Sequence, residues 1–143
     1  AARLASERAS DADIERIGAA FAALDAAYEK SDMAACADAD VAFHQAIADA
    51  SHNVLMGHLS TSLLRVIHGH VVSNLAYLQS RPAQWSQLRA QHRAIWEAVH
   101  TRRPDLALDG ARAHVDFVRR SMVESARIEE RQHSALRRLG ETH

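Results

Sequence analysis

Cysteine, proline, glycine and aromatic residues are all scarce in this 143-residue chain. The single cysteine, Cys36, excludes a disulfide framework within the chain and fits a reducing compartment. Five glycines and two prolines leave little turn material for a succession of hairpins, and long β-branched runs are missing too. Excess charge of one sign is also lacking: the formal net charge is -1, without the basic surplus of a nucleic-acid binder. No apolar run approaches the roughly 18 residues of a membrane span, and nothing resembles a signal peptide. A cytoplasmic location is therefore expected. A Gly-rich phosphate loop, a Gly-x-Ser-x-Gly elbow and a His-Glu-x-x-His helix are absent as well. What remains is a chain that is 48% hydrophobic and rich in alanine, of a length suited to one domain over residues 1–143. The expected class is all-α.

The punctuation divides the chain into about six helices. The opening AARLASERA reads as the tail of a helix. Ser10 with Asp13 forms a capping-box pair, after which Ile14, Ile17, Phe21, Leu24 and Tyr28 trace a 3.6-residue stripe over 11–30. Ser31-Asp32 stops that helix and caps the next, which carries Asp40 and His44. At its end His52-Asn53 suggests a stop, with Asn tolerating the left-handed conformation. A helix over about 54–78 then shows Leu55, Leu59, Leu63, Val66 and His70 on one side, expected to face inward. Gly57 and Gly69 weaken it without breaking it. Pro82 suits the first turn of the helix bearing Trp85 to Val99, and Arg103-Pro104-Asp105 precedes a last helix running to about Leu139. Short connections make an antiparallel bundle the default arrangement.

Four polar residues interrupt the apolar stripes. Asp40 and His44 lie four apart with Phe43 and Ile47, His92 follows Trp85 and Leu88, and His114 shares a face with Ala111, Phe117, Val118 and Met122. An isolated polar group in a core costs about 1–3 kcal/mol unless satisfied. One shared partner for all four is the most economical explanation, and a divalent metal is the natural candidate. Residues four apart project from one helix face, and the Pro104 turn brings His92 and His114 to one level. Three imidazoles and a carboxylate suit zinc first, then nickel, manganese, iron or cobalt, and are too nitrogen-rich for calcium or magnesium. A buried hydrogen-bonded cluster without metal, inside a helical dimerisation module, stays open at this point.

Other residues carry bland readings. His70, near Ser62 and Asn74, is placed to line a pocket or meet a bound anion, with plain helix packing as the alternative. Cys36 among alanines reads as a small buried hydrophobe, and Trp85 and Trp96 as packing residues. His52, His58, His68, His100, His133 and His143 show no paired spacing and read as surface or helix-end residues. The arginines from Arg119 to Arg138, interleaved with Glu124, Glu129 and Glu130, read as a solvated, salt-bridged face.

The runs DADVAFHQAIADASHNVLM, QLRAQHRAIWEAV and ALDGARAHVDFV resemble the FCD-type effector-binding domain of GntR-superfamily regulators, FadR subfamily. The resemblance covers nearly the whole chain. ASHN, NLAYLQSRP and EERQHSALRRL are most similar to regulators of glycolate and lactate operons, with glycolate favoured by the ungapped Arg81-Pro82 region. It implies an antiparallel helical bundle that holds a metal through one aspartate and three histidines, matching Asp40, His44, His92 and His114. It further implies a small organic acid bound at the metal, touched by His70 and Asn74, and a homodimer. DNA would be read only by a preceding winged helix-turn-helix, which this sequence does not contain. In relatives an arginine early in the first helix helps hold the acid, and its position falls before Ala1.

The function so implied is ligand-gated transcriptional control rather than catalysis. A rival is a metal enzyme. Iron and manganese superoxide dismutases also use three histidines and an aspartate in a D-x3-H setting. They require strands that this chain lacks and a tryptophan beside the aspartate, where Val41 and Ala42 stand. A metal-dependent hydrolase finds no patterned general base.

Overall fold

The computed structural model describes residues 1–140 and contains six helices with no strand among the described residues. In chain order they are α1 (Ala2–Arg8), α2 (Asp11–Lys30), α3 (Met33–Ala50), α4 (Val54–Gln79), α5 (Pro82–His100) and α6 (Pro104–Gly140). His143, read from sequence as a surface histidine, lies outside the described residues.

The helix ends are set by local chemistry. Ser10 accepts from the backbone N–H of Asp13, while the Asp13 carboxylate accepts from the Ser10 N–H at 2.8 Å, closing the capping box. Asp13 also accepts from Arg16 and lies 2.7 Å from His52 Nε2. The Ser10 hydroxyl and N–H, with help from Arg16 and His52, outweigh burial and hold its carboxyl well below the usual range. His52 thus has a partner 39 residues away that its sequence spacing does not reveal. Asp32 caps α3 through Ala35 N–H and Asn53 caps α4 through Met56 N–H. The corner after α3 also differs from expectation. The left-handed residue is His52, with φ 48°, while Asn53 is extended and spends its side chain on the cap.

Packing follows the stripes on α2, α3, α5 and α6. Ile17, Phe21 and Leu24 of α2 meet Phe43 and Ile47 of α3 and Leu88, Ile95 and Val99 of α5 in one buried cluster. α2 contacts α3 and α5; α4 contacts α3, α5 and α6; and α5 folds back on α6. Gly18 is a close-approach glycine, since a Cβ there would lie 3.0 Å from the Trp96 ring. Trp96 in turn stacks on Phe21, and Arg89 of α5 ties back to α2 by donating to Asp25 at 2.7 Å and Glu29 at 2.5 Å.

The inward stripe expected on α4 is corrected by the structure. Leu55, Leu59, Leu63 and Val66 are 59–76% exposed and His70 is exposed with them, whereas Val71, Asn74, Leu75 and Leu78 are buried. α4 carries apolar residues on two sides. Periodicity alone reports an apolar side without saying what covers it.

Candidate metal centre

Asp40 and His44 project from successive turns of α3, and His92 and His114 from α5 and α6 on either side of the Pro104 turn. The bundle brings all four together. Oδ1 of Asp40 lies 3.0 Å from His92 Nε2 and 3.7 Å from His44 Nε2, and the two Nε2 atoms are 3.3 Å apart. His114 closes the group, its ring centre 4.4 Å from that of His92 and 5.1 Å from that of His44. One ring nitrogen from each histidine falls within 4.8 Å of the others. His92 is fully buried, Asp40 and His114 nearly so, and His44 is partly exposed, leaving one side of the cluster nearest to solvent.

Charge at the cluster is arranged for a cation. Burial by itself would raise the pKa of Asp40, but His44, His92 and His114 outweigh it and hold the carboxyl well below its ordinary value. Burial also pushes His44 and His114 down, with the neighbouring imidazoles adding to it and Asp40 opposing. At neutral pH the site therefore presents an ionised Asp40 carboxylate with His44 and His114 kept neutral, the protonation state metal ligands require.

Asp40, His44 and His92 pass a geometric test for a shared ion. Atoms separated by 3.0, 3.3 and 3.7 Å leave a point about 2 Å from each, the distance at which zinc takes imidazole nitrogen and carboxylate oxygen. His114 Nδ1 is buried without a hydrogen-bond partner among the described residues. Such an orphan is costly unless something polar meets it.

The remaining sequence candidates divide. Asn74 is buried on α4 with its Oδ1 unpartnered among the described residues. His70 is exposed and stands outside the cluster, so its placement on an inner stripe is corrected. Cys36 donates to the Ala27 carbonyl at 3.1 Å, and burial raises its thiol, which fits an inert core residue. Sequence reasoning missed Tyr28, whose hydroxyl lies 2.8 Å from His92 Nδ1. Its place on the α2 stripe gave no signal beyond core packing.

Comparison with known proteins adds a family. The FCD domain profile matches residues 1–117. The Glc operon transcriptional activator of Escherichia coli (strain K12) is 34% identical over 124 residues, covering 85% of this chain and 49% of that protein. The putative L-lactate dehydrogenase operon regulatory protein of the same strain is 34% identical over 118 residues, covering 82% and 44%. HTH-type transcriptional regulator LutR of Bacillus subtilis (strain 168) is 33% identical over 102 residues, covering 68% and 44%. The chain thus spans about half the length, or less, of these relatives. All are named as regulators, and none as an enzyme.

Proposed function

This chain belongs to the FCD domain family, and from that premise we propose that it is the effector-sensing part of a GntR-superfamily transcription regulator. It binds a small carboxylate, glycolate or L-lactate, at a divalent metal and so controls the operon for that acid's breakdown. The observation that carries this reading is the convergence of Asp40, His44, His92 and His114 in the interior, with the carboxylate ionised and His44 and His114 held neutral. The relative named for an L-lactate dehydrogenase operon supports a 2-hydroxy acid as the effector.

Zinc fits this donor set first, with nickel, manganese, iron and cobalt as alternatives. When bound, the metal would supply a Lewis-acid seat for carboxylate and hydroxyl oxygens. The chain's own residues do the rest. Asp40 contributes the negative charge, and the three imidazoles set the site's level within the bundle. Asn74 is the buried α4 side chain free to accept from the acid's hydroxyl. α3, α5 and α6 each contribute to the centre, so a bound acid biases how these helices pack. Coupling of about 1–3 kcal/mol to a DNA-reading part of a longer protein is the usual size of such an effect.

Calorimetric titration of glycolate and L-lactate into zinc-loaded and chelator-stripped chain tests the reading. The expected result is heat of binding from one of the acids in the loaded chain alone. Equal binding to the stripped chain overturns the metal's role.

The reading includes a pair of copies, with the exposed face of α4 as the contact. Antiparallel pairing centred on Val66 sets Leu63 of one copy opposite Gly69 of the other, and Leu59 opposite Ser73. All of these residues are exposed, and Gly69 has open space around it. At these two pairs a large residue meets a small one, and each pair recurs in the other half, as a two-fold contact requires. A residue on the axis meets its own copy, within the roughly 4.4–6.8 Å that a disulfide needs between Cα atoms. Oxidised Val66→Cys is therefore expected to cross-link to a dimer. Leu59→Cys should do so only when mixed with Ser73→Cys. Val66→Cys that stays monomeric under oxidant contradicts this contact.

A further inference from the structure

We propose that Tyr28 is a positioning residue for the metal centre, its hydroxyl holding His92 with Nε2 turned toward Asp40 and His44. The inference rests on reading the four-residue cluster as a metal centre. Tyr28 stands on α2, which, like α4, contributes none of the four residues. Its hydroxyl lies 2.8 Å from Nδ1 of His92, while Nε2 of the same ring faces Asp40 Oδ1 at 3.0 Å and His44 Nε2 at 3.3 Å. A flip of the imidazole would set Cδ2 against the phenol and Cε1 against Asp40, so the hydrogen bond from Tyr28 favours the orientation seen.

The phenol is itself held. The Tyr28 ring is buried and meets Trp85 edge-on, centres 4.8 Å apart with an interplanar angle of 77°. Phe43 packs edge-on against the His92 ring at 5.7 Å and 88°. His92 is thus fixed by the Phe43 ring and the Tyr28 hydrogen bond, both from residues that would not touch the metal.

A hydroxyl both donates and accepts, which a backbone carbonyl in the same place would not. With the imidazole proton on Nε2, directed at Asp40, the Tyr28 O–H donates to Nδ1. With the Nε2 lone pair given to a cation, the proton sits on Nδ1 and Nδ1–H donates to the Tyr28 oxygen. One contact therefore serves both tautomers without a change of rotamer. Partners of this kind orient metal-binding histidines, and their loss typically lowers metal affinity about 10–100-fold.

The test uses the whole chain, zinc competed against a chromophoric chelator, and cobalt(II) as a spectroscopic probe. Tyr28→Phe keeps the ring and removes the hydroxyl. It is expected to melt cooperatively, bind zinc about 10–100-fold more weakly and shift the cobalt visible bands. Trp96→Phe, which loosens the packing of α5 on α2 at Phe21 and Gly18 and leaves Tyr28 and its hydroxyl in place, should lose thermal stability with affinity and bands unchanged. Nitrogen-edited NMR of the zinc-loaded wild-type chain needs no variant, and it should show the His92 proton on Nδ1. Wild-type affinity and bands in Tyr28→Phe, an equal loss in Trp96→Phe, or a proton on Nε2 of zinc-loaded His92 would each overturn the role of Tyr28. A wild-type chain that takes neither zinc nor cobalt removes the metal centre itself, and the proposal with it.

Discussion

His92→Ala is expected to lower zinc affinity by more than about 100-fold, a larger loss than removal of an outer partner brings. His92 sits at the middle of the cluster. Its Nε2 is within 3.3 Å of both Asp40 and His44, and its Nδ1 holds Tyr28. Truncation removes one donor and at once strands the Asp40 carboxylate and the Tyr28 hydroxyl. Each stranded buried group costs about 1–3 kcal/mol, so the denaturant midpoint should fall as well. The response to added acid should disappear together with the zinc. His70→Ala supplies the contrast: this exposed residue lies outside the cluster, and its loss should leave zinc affinity and midpoint unchanged. Zinc retained by His92→Ala at wild-type affinity would remove His92 from the centre.

Metal removal is the second large effect. A ligand that binds only the folded state, present at a thousand times its dissociation constant, stabilises by about 4.1 kcal/mol. At about 2–4 °C per kcal/mol for a chain of this size, stripping zinc with a strong chelator should lower the melting temperature by on the order of 10 °C. Acid should weaken the chain in the same direction. His44 and His114 have pKa values below the ordinary 6.5 in the folded chain, mainly through burial. Below about pH 6.5 the unfolded chain therefore binds more protons than the folded one, and stability falls as pH falls toward the folded pKa values. The depressed values also let the imidazoles stay neutral, and able to bind metal, to lower pH than free histidine. Melting curves of loaded and stripped chain between about pH 5 and pH 8 check both points. A loaded chain that melts with the stripped chain at every pH would contradict them.

Much of this architecture is legible in the residues themselves. Ser10 with Asp13, Asp32, Asn53 and Pro82 mark helix starts because their side chains or ring constraints act within one turn. Asp40, His44, His92 and His114 stood out because burying polar groups on apolar stripes is costly, and the bundle does gather them. The outer leucines of α4 misled, since an exposed apolar stripe has the same period as one facing the core. The left-handed conformation falls on His52 rather than Asn53 because the Asn53 side chain is worth more as the α4 cap. The contact from Tyr28 to His92 spans 64 residues and two helices, and a tyrosine on an apolar stripe announces nothing beyond its ring. The link from His52 to Asp13 is hidden in the same way.

X-ray absorption at the zinc edge of the chain loaded with one equivalent, before and after adding L-lactate or glycolate, addresses the central claim most directly. The expected spectrum shows imidazole scattering with nitrogen and oxygen donors at about 2.0–2.1 Å and no sulfur at about 2.3 Å, and one of the acids alters its oxygen shell. A chain that retains no zinc, a sulfur shell from Cys36, or a spectrum indifferent to both acids would contradict a metal-dependent carboxylate sensor built on Asp40, His44, His92 and His114.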